Sequence, residues 1–271
     1  MDFPDVSKML GDAAIVAANE PRSASGYIGA SSLRPRQKAC LKMYQFAVLR
    51  TPRDPSKADL GLAVRLLRGT AMHDAVTRAS RYADGKFEPA VTGRNWDLRI
   101  AGEADFLVRH GPDNELVVVE LKTIDPDLFA FTNKPQDAHI YQVHAYMMLL
   151  GAKKAVVLYV PHNDEEGRDP ITLLRQAMRR SAGKLRDAIE TVINEYPLEE
   201  KRPPTKALGK SFNIIYDDVV ADDIKGMSRD VLAAVDRKEW LGTNRDRCGL
   251  CPYTEPCWKQ ESMDACDRRQ E

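Results

Sequence analysis

The sequence has no net charge and no long apolar run. Its 40 Lys and Arg residues balance 40 Asp and Glu residues, so overall charge gives no argument for a nucleic-acid partner. The most apolar stretch, residues 145–160, is interrupted by Lys153 and Lys154 before it reaches the ~18 residues that cross a bilayer. The first residues, Met-Asp-Phe-Pro-Asp, lack the pattern of a secretory signal. We therefore expect a cytoplasmic protein with no membrane partner.

Basic residues nevertheless form three local clusters. The first contains Arg34, Arg36, Lys38 and Lys42; the second contains Arg175, Arg179, Arg180, Lys184 and Arg186; the third contains Lys201, Arg202, Lys206 and Lys210. Each cluster could line a path for a polyanion, or it could be the solvated face of a helix or loop. The sequence alone leaves both interpretations open.

Cysteine is also scarce, and its distribution is uneven. Four of the five cysteines, Cys248, Cys251, Cys257 and Cys266, lie near the end of the chain, whereas Cys40 lies far upstream. In a reducing compartment such residues seldom form disulfides. The C-x2-C-x5-C spacing of the first three offers three thiolates, which need one more ligand to close a metal site. Cys40 is the obvious fourth ligand, and Cys266 is a substitute ligand or a free thiol.

The order of predicted elements indicates an α/β protein. Apolar periodicity predicts a helix over 58–82, and strands follow at 87–92, 96–109 and 115–123. A helix over 136–150, a strand over 155–160 and helices over 170–194 and 221–237 come next, with an irregular Pro-rich stretch up to about 215. We expect an N-terminal arm over 1–24, one domain over 25–260 and a tail over 261–271. Three antiparallel strands followed by a helix and a strand favour a mixed sheet.

The turn between the second and third strands sets their register. Gly111-Pro112-Asp113-Asn114 is strong turn chemistry, and a four-residue loop there pairs His110 with Glu115. The same register places Asp105 across from Glu120. Because side chains alternate between faces, Glu103, Asp105, Glu120 and Lys122 share one face. Two carboxylates beside an ammonium form an oxygen-rich site suited to Mg²⁺ or Mn²⁺. The alternative is a surface ion pair between Lys122 and Glu103.

The sequence around these residues resembles the PD-(D/E)xK nucleases. Gly102-Glu103-Ala104-Asp105 and the later Glu120-Leu121-Lys122 are similar to the signature of that superfamily. The segment 68–73, ending in His73, and the segment 142–146, with Gln142 and Tyr146, are similar to motifs of its RecB-like branch. That branch includes the AddB nuclease domain and the Cas-four-type nucleases of CRISPR adaptation. The resemblance covers most of residues 25–260.

The resemblance implies a restriction-endonuclease-like core and a role for each motif residue. The divalent metal would be held by His73, Asp105 and Glu120, together with the Leu121 carbonyl. Lys122 would assist the attacking water. Gln142 and Tyr146, four residues apart on one helix face, would position DNA and support the site, although a buried tyrosine beside a polar neighbour is the alternative. Further acidic residues near this centre are Glu88 and Asp74, of which Glu88 resembles a glutamate common in the branch.

The cysteines strengthen the resemblance. In RecB-like nucleases of the AddB and Cas-four types, a distant N-terminal cysteine joins a C-terminal C-x2-C-x5-C motif to hold a [4Fe–4S] cluster. Here those ligands would be Cys40, Cys248, Cys251 and Cys257. The cluster would act as a clasp that links the two ends of the domain. Four thiolates would also bind Zn²⁺, so zinc is the alternative.

The expected activity is hydrolysis of DNA, most simply by an exonuclease that processes free or single-stranded ends. One alternative is an endonuclease on the same fold. Others are a catalytically idle DNA-binding adaptor in a recombination, replication or CRISPR-adaptation complex, and an unrelated iron–sulfur redox protein. The sequence contains no fused helicase region, so a helicase, recombinase or CRISPR-adaptation partner would be a separate chain.

Overall fold

The computed structural model describes residues 25–54, 60–81, 86–161, 209–244, 248 and 251–267. In chain order the strands are β1 (Ile28–Gly29), β2 (Phe87–Asn95), β3 (Ile100–His110), β4 (Glu115–Ile124), β5 (Lys154–Pro161) and β6 (Lys210–Ile215). The helices are α1 (Leu41–Val48), α2 (Leu60–Ser80), α3 (Pro126–Phe131), α4 (Asp137–Leu150), α5 (Asp218–Asp236) and α6 (Thr254–Asp267). No helix in these ranges is long and apolar enough to cross a membrane.

The strands form one mixed sheet in the order β1-β3-β4-β5-β6, and β2 also pairs with β3. The pairs β2–β3, β3–β4 and β5–β6 are antiparallel, whereas β1–β3 and β4–β5 are parallel. Helix α4 lies against β2 to β5, α5 packs on α4, and α2 contacts β4. The predicted α/β core with a mixed sheet flanked by helices is therefore confirmed.

The core lies between the sheet and helices α4 and α5. Val118 and Val157 from the sheet, Val143 and Ala145 from α4, and Met227 from α5 are all fully buried. Burial of the valine and methionine side chains contributes ~1.5–3 kcal/mol each. Since β4 runs through the middle of the sheet, its charged residues are flanked by this packed apolar layer.

The structure differs from the prediction in several elements. The second predicted strand begins later, at Ile100, because Trp96–Arg99 form a turn and β2 extends to Asn95. Strand β6 occupies the end of the stretch predicted as irregular, and α1 was not predicted. Helix α5 begins at Asp218, because the Asp217 side chain accepts a hydrogen bond from the Val219 amide at 2.8 Å. The N-terminal arm and the predicted helix over 170–194 lie outside the described residues.

Three residues of the first basic cluster contact other parts of the fold. Arg36 bridges Asp223 and Asp230, with nitrogen–oxygen distances of 3.2 and 2.6 Å. Lys38 pairs with Asp137, and Lys42 is buried beneath the ring of Trp240. These contacts tie the cluster to other parts of the fold, and the Lys38 side chain is still 66% exposed.

Lys210, at the end of the third basic cluster, also has a structural contact. Its Nζ donates to the backbone carbonyls of Phe129, Ala130 and Thr132. These carbonyls lie at the C-terminal end of α3, where a cation is favourable. The second cluster and the rest of the third lie outside the described residues.

Candidate active site

The β3–β4 hairpin carries the candidate catalytic carboxylates. The observed pairs run from His110 with Glu115 to Phe106 with Val119, which is the register that the turn predicted. The described ladder ends there, one pair short of Asp105 and Glu120, while β4 continues beside β5 to Ile124. The two carboxylates therefore face each other where β3 and β4 separate, and not as ladder partners.

The Asp105 side chain bridges the separating strands. Its Oδ2 accepts a hydrogen bond from the Leu121 backbone N–H at 2.7 Å. Its Oδ1 lies 3.1 Å from Nδ1 of His73 on α2. The hydrogen bond to Asp105 raises the pKa of His73. The Asp105 carboxylate thus joins β3, β4 and α2.

Glu120 lies deeper, and the residue is 3% exposed. Oε1 accepts hydrogen bonds from Lys122 Nζ at 2.6 Å and Gln142 Nε2 at 2.7 Å. Burial raises the pKa of Glu120 to about 7, and Asp105 adds to this rise, although the Lys122 ammonium opposes it. Oε2 is buried and has no hydrogen-bond partner among the described residues. A buried oxygen of this kind is costly unless a donor or cation satisfies it.

Gln142 and Tyr146 share one face of α4, as their spacing predicted. Gln142 Nε2 donates one hydrogen bond to Glu120 Oε1 and a second, 2.8 Å long, to the Tyr146 hydroxyl. Gln142 is 4% exposed and Tyr146 is 3% exposed. Because both side chains are buried, their geometry fits support of the Glu120 carboxylate and offers no surface on which DNA could lie.

The remaining acidic candidates lie at the edge of this group. Glu103 is exposed and accepts a hydrogen bond from Thr92 at 3.3 Å. Lys122 pairs with Glu120, so the alternative of a surface ion pair between Lys122 and Glu103 is wrong. Glu88 and Asp74 are also exposed.

Gly102 is a residue of this site to which the sequence assigned no role. A Cβ atom at Gly102 would come within 2.6 Å of a ring carbon of Tyr146 and of the Ala30 Cβ. Neither neighbour can move easily, since Tyr146 and Ala30 are both buried. Glycine is therefore required here for α4 to approach β3. The sequence signal was present, because this glycine begins the Gly102-to-Asp105 motif.

The donor types fit a divalent metal. Asp105 and Glu120 offer hard oxygen ligands, His73 offers an imidazole, and Oε2 of Glu120 has no hydrogen-bond donor among the described residues. Across the described residues no three His, Cys, Asp or Glu side chains are already arranged to hold a metal. Ligation would therefore replace some of the hydrogen bonds that Asp105 and His73 now make.

Four cysteines surround a second, separate pocket. Cys40, at the start of α1, lines it together with Cys248, Cys251 and Cys257, and the apolar side chains of Met43 and Phe46 line it as well. Burial raises the pKa of Cys251 to about 11, and the neighbouring thiols add to the rise. None of these four described cysteines forms a disulfide. The fold therefore brings the distant Cys40 to the C-terminal cysteines.

A model of the PD-(D/E)XK nuclease superfamily matches residues 58–258, which include every carboxylate, imidazole and amide of the centre described above. The chain belongs to that superfamily. This PD-(D/E)XK protein is therefore a nuclease, with an α/β fold consistent with the restriction-endonuclease-like core. No curated protein matches the chain.

Several solved structures are similar to this nuclease at low identity. SSO0001 is 13% identical, with a TM-score of 0.48 over 93% of this chain and 95% of that chain. The alkaline exonuclease LHK-Exo from Laribacter hongkongensis is 14% identical, with a TM-score of 0.47 over 84% and 93%. A phage-related exonuclease from Haemophilus somnus 129PT is 18% identical, with a TM-score of 0.39 over 64% and 70%. At these values none assigns a substrate to this chain.

Proposed function

We propose that this nuclease is a RecB-like deoxyribonuclease that hydrolyses phosphodiester bonds with Mg²⁺ or Mn²⁺. The observation that carries the proposal is the buried carboxylate of Glu120. One of its oxygens is held by Lys122 and Gln142, and the other has no partner in the described part of the chain. A bound cation would satisfy this oxygen, as a buried polar atom requires.

The residues of the site divide the work of hydrolysis. Asp105, Glu120 and His73, with the Leu121 carbonyl, would hold the metal, which when bound supplies a hydroxide at neutral pH and positive charge for the transition state. Lys122 is 23% exposed in its side chain, so its ammonium can meet both the attacking water and a phosphate oxygen. Gln142 would hold the Glu120 carboxylate by donating to Oε1, and the Tyr146 hydroxyl would position Gln142 by accepting its second hydrogen bond.

The proposed substrate is DNA with a free end, which the enzyme would degrade as an exonuclease. End-labelled linear single-stranded DNA and circular single-stranded DNA of the same sequence, each with Mn²⁺, Mg²⁺ or EDTA, test this. We expect loss of the linear strand alone, and only with metal. Cutting of the circle would assign an endonuclease, and binding of either DNA without cutting under any condition would assign an idle adaptor.

We further propose that Cys40, Cys248, Cys251 and Cys257 hold a [4Fe–4S] cluster. The convergence of four thiols on one apolar pocket supports this. A cluster held by Cys40 and by the C-terminal cysteines would join the two ends of the segment 25–260 into one domain. Its binding free energy would then add to the folding free energy of that domain. Iron and sulfide analysis of anaerobically purified protein tests the proposal. A colourless protein with stoichiometric zinc would contradict the iron–sulfur cluster and would assign Zn²⁺ to the site.

A partner that opens DNA is part of the proposal. We propose a helicase, recombinase or CRISPR-adaptation protein that acts as a separate chain. Co-purification from the native cell, with and without nuclease digestion of DNA, separates a direct protein contact from bridging by DNA. Recovery of a partner only without digestion would contradict a direct contact.

A further inference from the structure

The β2–β3 ladder is interrupted at one position. Glu88 pairs with Leu107 and Pro89 with Phe106, and pairing resumes with Val91 opposite Ala104. The register is the same on both sides of the gap, so the missing pair is Ala90 with Asp105. At the gap, Ala90 has a φ of 55°, the left-handed region that alanine disfavours.

The interruption falls beside the end of a second ladder. On its other side, β3 pairs with β4 only as far as Phe106 and Val119. Within the described strands Asp105 therefore has no ladder partner in either neighbour. Its carboxylate instead accepts the Leu121 N–H at 2.7 Å, so a side chain occupies the place of a backbone acceptor.

Burial of its side chain does not explain the conformation of Ala90, because that side chain is exposed. Disfavoured backbone conformations persist where the surrounding structure holds them in place, and they concentrate at functional sites. The functional group at this position is Asp105.

We propose that the left-handed backbone of Ala90 positions the Asp105 carboxylate. By breaking the pair with β3 at that residue, it lets Asp105 leave the ladder and reach both Leu121 N–H and His73 Nδ1. Ala90 is thus a positioning residue for the catalytic centre, and it touches no substrate. This inference rests on the proposed role of Asp105 as a metal ligand.

The test compares three variants of the full-length, anaerobically prepared protein. Ala90→Val favours negative φ, because its branched side chain resists the left-handed region, and so it favours closing the pair with Asp105. Ala90→Gly tolerates positive φ. Asn114→Val is the matched control, since Asn114 is exposed, has a φ of 52° and lies in the distant β3–β4 turn.

We expect both valine variants to lose roughly 2–8 °C of Tm from backbone strain. Only Ala90→Val should lower kcat, by ~10-fold or more, with KM for DNA within ~2-fold. Its Mn²⁺ affinity, measured by calorimetry, should fall by ~10-fold or more. Ala90→Gly should keep the wild-type kcat and Mn²⁺ affinity.

Two results would overturn the inference in distinguishable ways. If the wild type is active and Ala90→Val matches Asn114→Val in kcat and Mn²⁺ affinity, Ala90 does not position Asp105, and the proposed function stands. If the wild type neither binds Mn²⁺ nor cuts DNA, the proposed function fails and the inference fails with it.

Discussion

The carboxylate centre and the cysteine pocket are both candidate metal sites, but the protein builds them differently. In the carboxylate centre of His73, Asp105, Glu120 and Lys122, the side chains hydrogen-bond to one another and to α4. In the cysteine pocket the thiols face apolar neighbours such as Met43 and Phe46. The first site is ordered by hydrogen bonds between its side chains, whereas at the second the Thr254 hydroxyl holds the backbone carbonyls of Cys248 and Cys251.

This difference indicates what the group bound at each of the two sites would contribute. Under the proposed function, ligands already held by hydrogen bonds would need little folding energy from a metal, so a metal at the carboxylate centre would serve chemistry. A cluster on Cys40 and the C-terminal cysteines would link distant parts of the chain, so it would serve stability. The C-terminal segment does have other contacts, including the Asp54 N–H with the Pro252 carbonyl at 2.8 Å. Loss of the group should therefore loosen the fold without abolishing it.

The largest expected effect separates activity from stability at the carboxylate centre. Glu120→Gln should lower the nuclease rate by at least ~100-fold, because it removes a metal ligand. Burial raises the pKa of Glu120 from 4.5 to about 7 in the folded protein, so the wild type loses stability as the pH rises from about 4.5 to about 7. In metal-free buffer the variant should be more stable than the wild type above pH 7, by roughly 1–3 kcal/mol.

Urea unfolding at several pH values, with EDTA, measures this difference. Since the penalty is absent when the carboxyl is protonated in both states, the advantage of the variant should disappear below pH 4.5. An advantage that grows as the pH falls would contradict the assignment, as would a variant with wild-type nuclease activity.

The next effect in size concerns the cysteine pocket. Cys251→Ser should lower Tm by roughly 5–15 °C, because it removes one ligand of the linking group. At 20 °C the folded fraction should keep a kcat within ~3-fold of the wild type. Thermal unfolding and nuclease assays of the same samples measure both. Cys266→Ser is the control, and an equal loss of Tm in both variants would contradict the proposed ligand set.

A smaller effect is expected for the residues that support the Glu120 carboxylate. Gln142→Leu should lower kcat by ~10–100-fold, because supporting hydrogen bonds tune ligands by about that factor. Tyr146→Phe should lower it less, since the phenol reaches Glu120 only through Gln142. The ratio of the two kcat values is the measurement. A larger loss for Tyr146→Phe would indicate that the phenol has a direct role.

The smallest expected effect is the pH dependence of stability that His139 causes. Burial lowers the pKa of His139 to about 4, with a contribution from the Lys122 charge. A lowered imidazole pKa gives stability that is complete above pH 6.5 and is lost as the pH falls towards 4. The wild type should lose ~1–2 kcal/mol relative to His139→Gln between these values. Urea unfolding of both proteins at pH 7.5 and 4.5 measures it, and parallel curves would contradict the shift.

Much of the carboxylate centre could be predicted from the sequence because its determinants are local. The turn at 111–114 fixed the register of β3 and β4, and period-two alternation placed Glu120 and Lys122 on one face. The four-residue spacing placed Gln142 beside Tyr146. Each of these depends on backbone geometry within a few residues, so the pattern carries the information.

What could not be predicted depends on distant contacts. The separation of β3 from β4 at Asp105 and the left-handed Ala90 leave no mark in residue type. The packing roles of Arg36 and Lys210 depend on partners about 190 and 80 residues away. Strand β6 is stabilised by pairing with β5 and lies next to a stretch rich in proline. Periodicity detects none of these contacts.

The most direct measurement is degradation of end-labelled linear single-stranded DNA by anaerobically prepared protein with Mn²⁺. The wild type and a Glu120→Ala, Lys122→Ala double variant are compared at equal folded concentration, verified by circular dichroism. We predict that only the wild type shortens the strand, with the label reporting polarity. Equal degradation by both proteins would contradict the site, and binding without degradation by either would contradict the nuclease activity itself.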